Sequence, residues 1–443
     1  MKKYDDIIIG SGTCGYRAAE ILADAGRSVL IAEKNDTVGG VCLNWGCIPT
    51  KAYINVCENI LSIKDMKRFG IAATLDSIDM DKIHSFKNRT VKMVVRGLEK
   101  TLKEKGIDIV RGEASIEGGS VIINNEQYTS ENIIIATGSR PKGLRGIEAD
   151  SEFIITSRDA LDLTDIPAKI VIAGAGVIGV EMATVFAVLG SDVTIVEYMD
   201  SILPALGNAL ISQQTEKYLR KLRVRIVTGT GTQSADRQPG IITLTDGSEQ
   251  AADKLLLATG REPVIHQSLA EEGIETENGF IKTDRSKKTS VNNIYAGGDC
   301  TDGPMLAHRA YYDGEIIAGN ILGNRREYDY SFMPYSVFTI PPSSSAGLTL
   351  DDIENRQDYI IYEKQYAASG RAAAMGKREG ICRIITDSDG IVKGATITGH
   401  ESDSIIHELL PFIQFGKSIE DIGSTVHIHP TLSELIFEAI NDY

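Results

Sequence analysis

An α/β fold with two doubly wound, parallel-sheet domains and a C-terminal α+β domain follows from three features of the sequence. A glycine-rich turn between an apolar strand and a helix occurs twice, at matching spacing. Each copy closes on a similar apolar strand, IIIATGS at 133–139 and LLLATGR at 255–261. From about Tyr330 onward the pattern changes to alternating short strands and closing helices.

In chain order, Asp6–Ile9 reads as a strand, Gly10, Gly12 and Gly15 as a GxGxxG turn, Tyr16–Ala25 as a helix, and Ser28–Ala32 as a strand ending at Glu33. The glycines suit a tight turn, a close backbone approach to a pyrophosphate, and packing of helix on strand. Glu33 follows the third glycine by 18 positions, where a carboxylate can hold a ribose hydroxyl. The second copy has strand Lys169–Ala173, Gly174, Gly176 and Gly179, helix Val180–Leu189, and strand Asp192–Val196 ending at Glu197, with the same spacing of 18. Both copies are therefore expected to be Rossmann-like and to bind a dinucleotide. From first glycine to closing alanine the first copy spans 126 positions and the second 84, so the first carries an insert after Glu33.

The formal net charge of -15 excludes a clustered basic footprint for nucleic acid. No run approaches the ~18 apolar residues of a membrane span, and the short apolar run after the N-terminal lysines reads as a strand rather than a signal segment. A cytoplasmic protein is expected. Six cysteines in 443 residues do not make a disulfide scaffold. Cys14, Cys57, Cys300 and Cys382 are scattered and read as small buried apolar groups.

Cys42 and Cys47 differ, because they open the insert in the run GGVCLNWGCIPTK, at or just before the start of a long helix. A helix N-terminus and the nearby Lys51 both favour thiolate, so both thiols are expected to be nucleophilic. The four-residue gap fits a reducible disulfide; half of a zinc site is the other reading, and it lacks a second cysteine pair.

The GGVCLNWGCIPTK run resembles the redox segment of the FAD-dependent pyridine nucleotide-disulfide oxidoreductases, and the likeness extends over nearly the whole chain. Ile294–Asp299 is similar to the family's second flavin motif, Met305-Leu306-Ala307-His308 to a flavin-contact segment, and Gly112-Glu113-Ala114 to a loop that cradles adenine. The resemblance implies FAD at the first nucleotide site, held by Gly10, Gly12, Gly15, Glu33, Lys51, Ala114, Thr137, Gly138, Asp299, Met305, Leu306 and Ala307. The second site is then for the nicotinamide cofactor, with Gly174, Gly176, Gly179, Glu197 and Gly260. Glu197 accepts from a free 2'-hydroxyl, and no arginine follows it to hold a 2'-phosphate, so NAD is expected. Glu181 matches a family glutamate that pairs with the lysine after the cysteine motif, here Lys51. The implied division is 1–144 for the first part of the FAD-binding domain with the redox insert, 145–265 for the NAD-binding domain, 266–329 for the central remainder, and 330–443 for a dimerisation domain.

Near the C-terminus, His429-Pro430-Thr431-Leu432-Ser433-Glu434 precedes an apolar helical run. Pro430 suits a first helical turn, which puts Glu434 about one turn in and able to reach His429. That pair is a base with its tautomer fixed by a carboxylate. His427 reads as structural. The family resemblance implies a homodimer in which His429 serves the partner subunit's site. It also implies the oxidation of dihydrolipoyl groups, carried on acyltransferase or glycine-cleavage carrier proteins, with NAD+ as acceptor. Cys42 would be the interchange thiol and Cys47 the thiolate against the flavin. Reduction of another disulfide by NADH is the alternative activity, and a non-catalytic flavin-binding redox sensor the alternative of another class. Pro342 and the segment 399–403 depart from the family pattern within the interface region.

Overall fold

A computed structural model describes residues 2–441. The chain divides into two compact units, one of Met1–Ala52, Asp81–Lys142 and Gly260–Asp329, the other of Tyr53–Met80, Gly143–Thr259 and Tyr330–Tyr443.

In the first unit a parallel ladder runs Asp108–Arg111, Val29–Glu33, Lys2–Ile9, Glu126–Ile135; on the far edge of the last, Ile294–Ala296 pairs its C-terminal part in parallel and Ser120–Ile123 its N-terminal part antiparallel. Strand Val29–Glu33 is buried at every position, as expected of a parallel strand covered on both faces. Helix Thr13–Asp24 packs Ala18, Ala19 and Leu22 against Ile8 and Ile31 on one face of the sheet. On the other face Ile7, Leu30, Ile133 and Ile294 form a second core. The helix starts at Thr13 rather than Tyr16, because Gly12 is itself the cap and its carbonyl accepts the Tyr16 N–H. The insert folds into helices Gly40–Trp45, Cys47–Asp65 and Met80–Glu104.

The second unit repeats the architecture, with the parallel order Arg225–Val227, Asp192–Val196, Lys169–Ala173, Lys254–Leu257, Ile154–Thr156. Its helix, Val177–Leu189, again begins directly after the middle glycine. Both closing strands are shorter than the sequence suggested. They end at Ile135 and Leu257, because Gly138 and Gly260 take positive φ and turn the chain. Beyond Tyr330 lies a five-stranded antiparallel sheet, Tyr335–Val337, Ser343–Gly347, Val392–Gly399, Gly380–Asp387 and Tyr359–Gln365. Helices Ser402–Gln414 and Glu434–Asn441 pack Leu409, Leu435 and Ile436 onto Ile384 and Ile397 of this sheet. Among the described residues no helix is long and apolar enough to cross a membrane.

Candidate active site

The two glycine-rich turns separate what the protein needs from what a ligand needs. Gly10 has φ +104°, and a Cβ there would lie 2.3 Å from the Ala136 carbonyl oxygen; one on Gly15 would lie 2.0 Å from the Gly10 carbonyl oxygen. A Cβ on Gly12 meets nothing within 4 Å. The second turn behaves alike: Gly174 would meet Ala258 O at 2.5 Å and Gly179 would meet Gly174 O at 2.1 Å, while Gly176 is open. Packing thus requires the outer glycines, and the middle one keeps clear a space at a helix N-terminus where a pyrophosphate fits.

The acids at the strand ends are also equivalent. Glu33 Oε2 accepts the Ser11 N–H at 3.0 Å and Oε1 the Asn35 N–H at 2.8 Å. Glu197 Oε2 accepts the Ala175 N–H at 2.7 Å and Oε1 the Met199 N–H at 2.9 Å. Each Glu197 oxygen thereby keeps a lone pair for a ribose hydroxyl. On Glu33 those second places are taken by Ser11 Oγ and Asn35 Nδ2, two rotatable groups that a ribose can displace.

Gly40 starts the cysteine segment against this turn, since its Cβ would lie 2.7 Å from Gly12 Cα. Cys42 lies within the short helix Gly40–Trp45, and Cys47 is the first residue of Cys47–Asp65, which also carries Lys51. The two sulfurs are not joined as a disulfide, and the Cys42 side chain hydrogen-bonds Cys47. That hydrogen bond, then burial, push the Cys42 thiol well above the ordinary cysteine range, outweighing the downward pull of Lys51. For Cys42 this works against the thiolate that the helix end and Lys51 alone would favour. Tyr16 is an unforeseen neighbour; burial first, then Cys42, push its hydroxyl up to about 12.

Asp299 sits in the turn Gly298–Cys300, where Oδ2 accepts the Ser139 hydroxyl at 2.5 Å. Thr137 Oγ1 donates to the Val264 carbonyl at 2.6 Å, and Gly138 is open to a ligand like the middle glycines. Ala114 begins a strand beside Gly112, whose N–H donates to the Glu33 carbonyl. Met305 and Leu306 lead into helix Ala307–Ile321, which Leu306 caps; these three are half-buried. Arg261 was legible only as a motif end, yet its Nε donates to Ser139 Oγ at 2.7 Å.

In the second unit the Glu181 carboxylate accepts the Phe338 N–H at 3.0 Å. His429 Nδ1 lies 2.9 Å from Glu434 Oε1, and Glu434 Oε2 accepts the Thr431 N–H at 2.8 Å. The dyad forms without the expected helical turn: Pro430 precedes the helix and Glu434 is its first residue, so the connecting turn brings the carboxylate back. Thr431, then His429, hold the Glu434 carboxyl below its ordinary range. His429 is 82% exposed. His427, by contrast, is buried against Glu408 at 2.5 Å and stacks near Phe437. Pro342 accepts the Gly399 N–H, and His400 accepts from the Tyr366 hydroxyl, so both departures from the family pattern are built into the C-terminal sheet and its helix start.

Residues 4–314 match the pyridine nucleotide-disulphide oxidoreductase family, and residues 333–440 match that family's dimerisation domain. The chain is 38% identical over 449 residues to a dihydrolipoyl dehydrogenase of Bacillus subtilis, covering 98% of this chain and 95% of the relative. It is 36% identical over 453 residues to one of Halobacterium salinarum, with the same coverage. Among solved structures, LpdA from Mycobacterium tuberculosis has a TM-score of 0.92 at 23% identity over 99% of both chains, which shows the fold. The HOCl-induced flavoprotein disulfide reductase RclA from Escherichia coli has a TM-score of 0.88 at 26% identity over 99% of both chains. This chain belongs to the pyridine nucleotide-disulphide oxidoreductase family.

Proposed function

We propose that the chain is a dihydrolipoyl dehydrogenase, oxidising dihydrolipoyl groups to the cyclic disulfide and reducing NAD+ through the Cys42–Cys47 couple and FAD. The observation that carries this reading is the hydrogen-bonded sulfur pair on a segment whose start, Gly40, packs against Gly12. The residues present fit both nucleotides: each turn leaves room at its middle glycine, and each strand-end acid is held by the backbone N–H of the residue before that glycine. FAD would be held by Gly12, Glu33, Ala114, Thr137, Gly138, Asp299, Lys51 and Met305–Ala307, NAD by Gly176, Glu197 and Gly260. Bound flavin would take the electron pair of the reduced couple and deliver it to the nicotinamide.

The thiol chemistry belongs to the chain. With the couple oxidised, His429 takes the proton of one substrate thiol, the resulting thiolate attacks Cys42 Sγ, the Cys42–Cys47 bond breaks, and Cys47 leaves as thiolate. The second substrate thiol attacks the substrate sulfur bonded to Cys42 and closes the lipoyl ring, while its proton passes to the departing Cys42 sulfur. The couple then holds a Cys42 thiol and a Cys47 thiolate, the direction in which the Cys42 pKa is pushed. Glu434 fixes the His429 tautomer. His429 acts on the partner copy in a homodimer built by residues 330–443; its exposure beside Val426 and Ile428, 95% and 79% exposed, supports a surface that a second copy covers. The enzyme works in the cytoplasm on carrier-bound dihydrolipoyl groups.

The test is a panel of lipoamide, glutathione disulfide and peroxide, each with NADH and NADPH. Turnover with lipoamide and NADH is expected. Preference for glutathione disulfide or for NADPH would refute the assignment.

A further inference from the structure

Strands Ser139–Pro141 and Arg261–Pro263, which follow the two repeated ATG turns, pair antiparallel. Arg261 Nε donates to Ser139 Oγ at 2.7 Å, and Nη2 donates to the Ser139 carbonyl at 2.7 Å. An arginine donates and never accepts, so the Ser139 hydroxyl must receive that N–H on a lone pair. Its single proton then goes to Asp299 Oδ2, at 2.5 Å. The polarity of the chain from guanidinium to hydroxyl to carboxylate is thereby fixed, and Oδ1 is the oxygen left for a ligand hydroxyl.

The backbone under Asp299 is held by other groups. Gly298 N–H donates to Asp313 Oδ2 at 2.9 Å, and Arg309 Nη1 donates to the Gly298 carbonyl at 2.9 Å. Asp313 and Arg309 are fully buried and pair with each other at 3.2 Å. With the turn pinned from below, the freedom that remains is rotation of the Asp299 side chain, and Ser139 removes it. Burial pulls the Arg261 pKa down, while the negative charge of Asp299 holds it up.

We infer that Arg261 is a positioning residue of the flavin site: through Ser139 it orients the Asp299 carboxylate so that Oδ1 is presented to a hydroxyl of the FAD. This rests on the reading of the first nucleotide site as the one for FAD. No covalent step is assigned to Arg261.

The test measures FAD dissociation from the holoenzyme, with thermal melts of the apoprotein beside it. Arg261→Met and Ser139→Ala should each weaken FAD binding at least ~3-fold while the apoprotein melts near the wild-type temperature, and the double variant should bind FAD no more weakly than the weaker single variant, because both act through Asp299. Arg261→Lys keeps a donor without the planar fork and should fall between wild type and Arg261→Met. Undiminished FAD affinity in Ser139→Ala, or additive losses in the double variant, overturns the relay. If Arg261→Met does not fold, unchanged affinity in Arg261→Lys overturns it instead. Failure of the wild-type apoprotein to bind FAD would refute the reading of the site, a failure separable from these because it needs no variant.

Discussion

Glu434 acts on His429 and on the backbone at once, and the two roles can be told apart by pH. Its carboxyl lies below the ordinary glutamate range, chiefly through the Thr431 N–H. A depressed folded pKa contributes stability that is present above the unfolded value of ~4.3 and is lost as pH falls through the folded value. Glu434→Gln should therefore lower stability at neutral pH by more than at strongly acidic pH, read from thermal melts across that range. The same variant should lose about 10²-fold in kcat/KM with dihydrolipoamide, because the base loses the group that orients it. A drop in stability with unchanged kcat/KM would leave Glu434 a merely structural residue. Both members of this dyad are legible in the sequence, since they lie five positions apart. The Arg261–Ser139–Asp299 chain is not, because Arg261 and Ser139 are separated by 122 positions and only the strand pairing joins them. The upward push on the Cys42 thiol is hidden for a related reason: helix end and Lys51 can be read locally, whereas the hydrogen bond to Cys47 depends on how the helices Gly40–Trp45 and Cys47–Asp65 meet.

The glycine-rich turns make a sharper distinction than a motif search can. Gly15→Ala and Gly179→Ala place a Cβ 2.0 and 2.1 Å from a carbonyl oxygen, so helix and strand must part. Such overpacking costs ~1–3 kcal/mol or more, and lower melting temperatures of the apoprotein are expected. Gly12→Ala and Gly176→Ala meet no protein atom within 4 Å. The apoprotein should melt normally, with flavin content falling in Gly12→Ala and the KM for NADH rising in Gly176→Ala. An apoprotein of Gly12→Ala as damaged as Gly15→Ala would show that the cleared space serves the fold and not a ligand. The repeat itself is readable from spacing, because strand, turn and acid are local. Its ends are less so: glycine caps admit the helices three residues earlier than apolar periodicity suggests, and positive φ at Gly138 and Gly260 cuts the closing strands short.

For the molecule as a whole, the account requires that each site take its cysteines from one copy and its base from the other. Chains carrying Cys47→Ser and chains carrying His429→Gln should each be inactive alone. Mixed, dissociated and reassociated, they should recover about a quarter of wild-type activity, since half the dimers are mixed and each of those restores one of its two sites. No recovery would place His429 beside the cysteines of its own chain. The family's dimerisation domain covers residues 333–440, which include both His429 and Glu434. The measurement that bears most directly on the central claim is anaerobic titration of the holoenzyme with dihydrolipoamide, watched by absorbance, beside the same titration of Cys47→Ser. The wild-type protein should take up a single equivalent of dithiol and develop the long-wavelength thiolate-to-flavin band, while Cys47→Ser retains its flavin and never shows it. Bleaching of the flavin without that band in the wild type, or a band that persists in Cys47→Ser, would contradict the account.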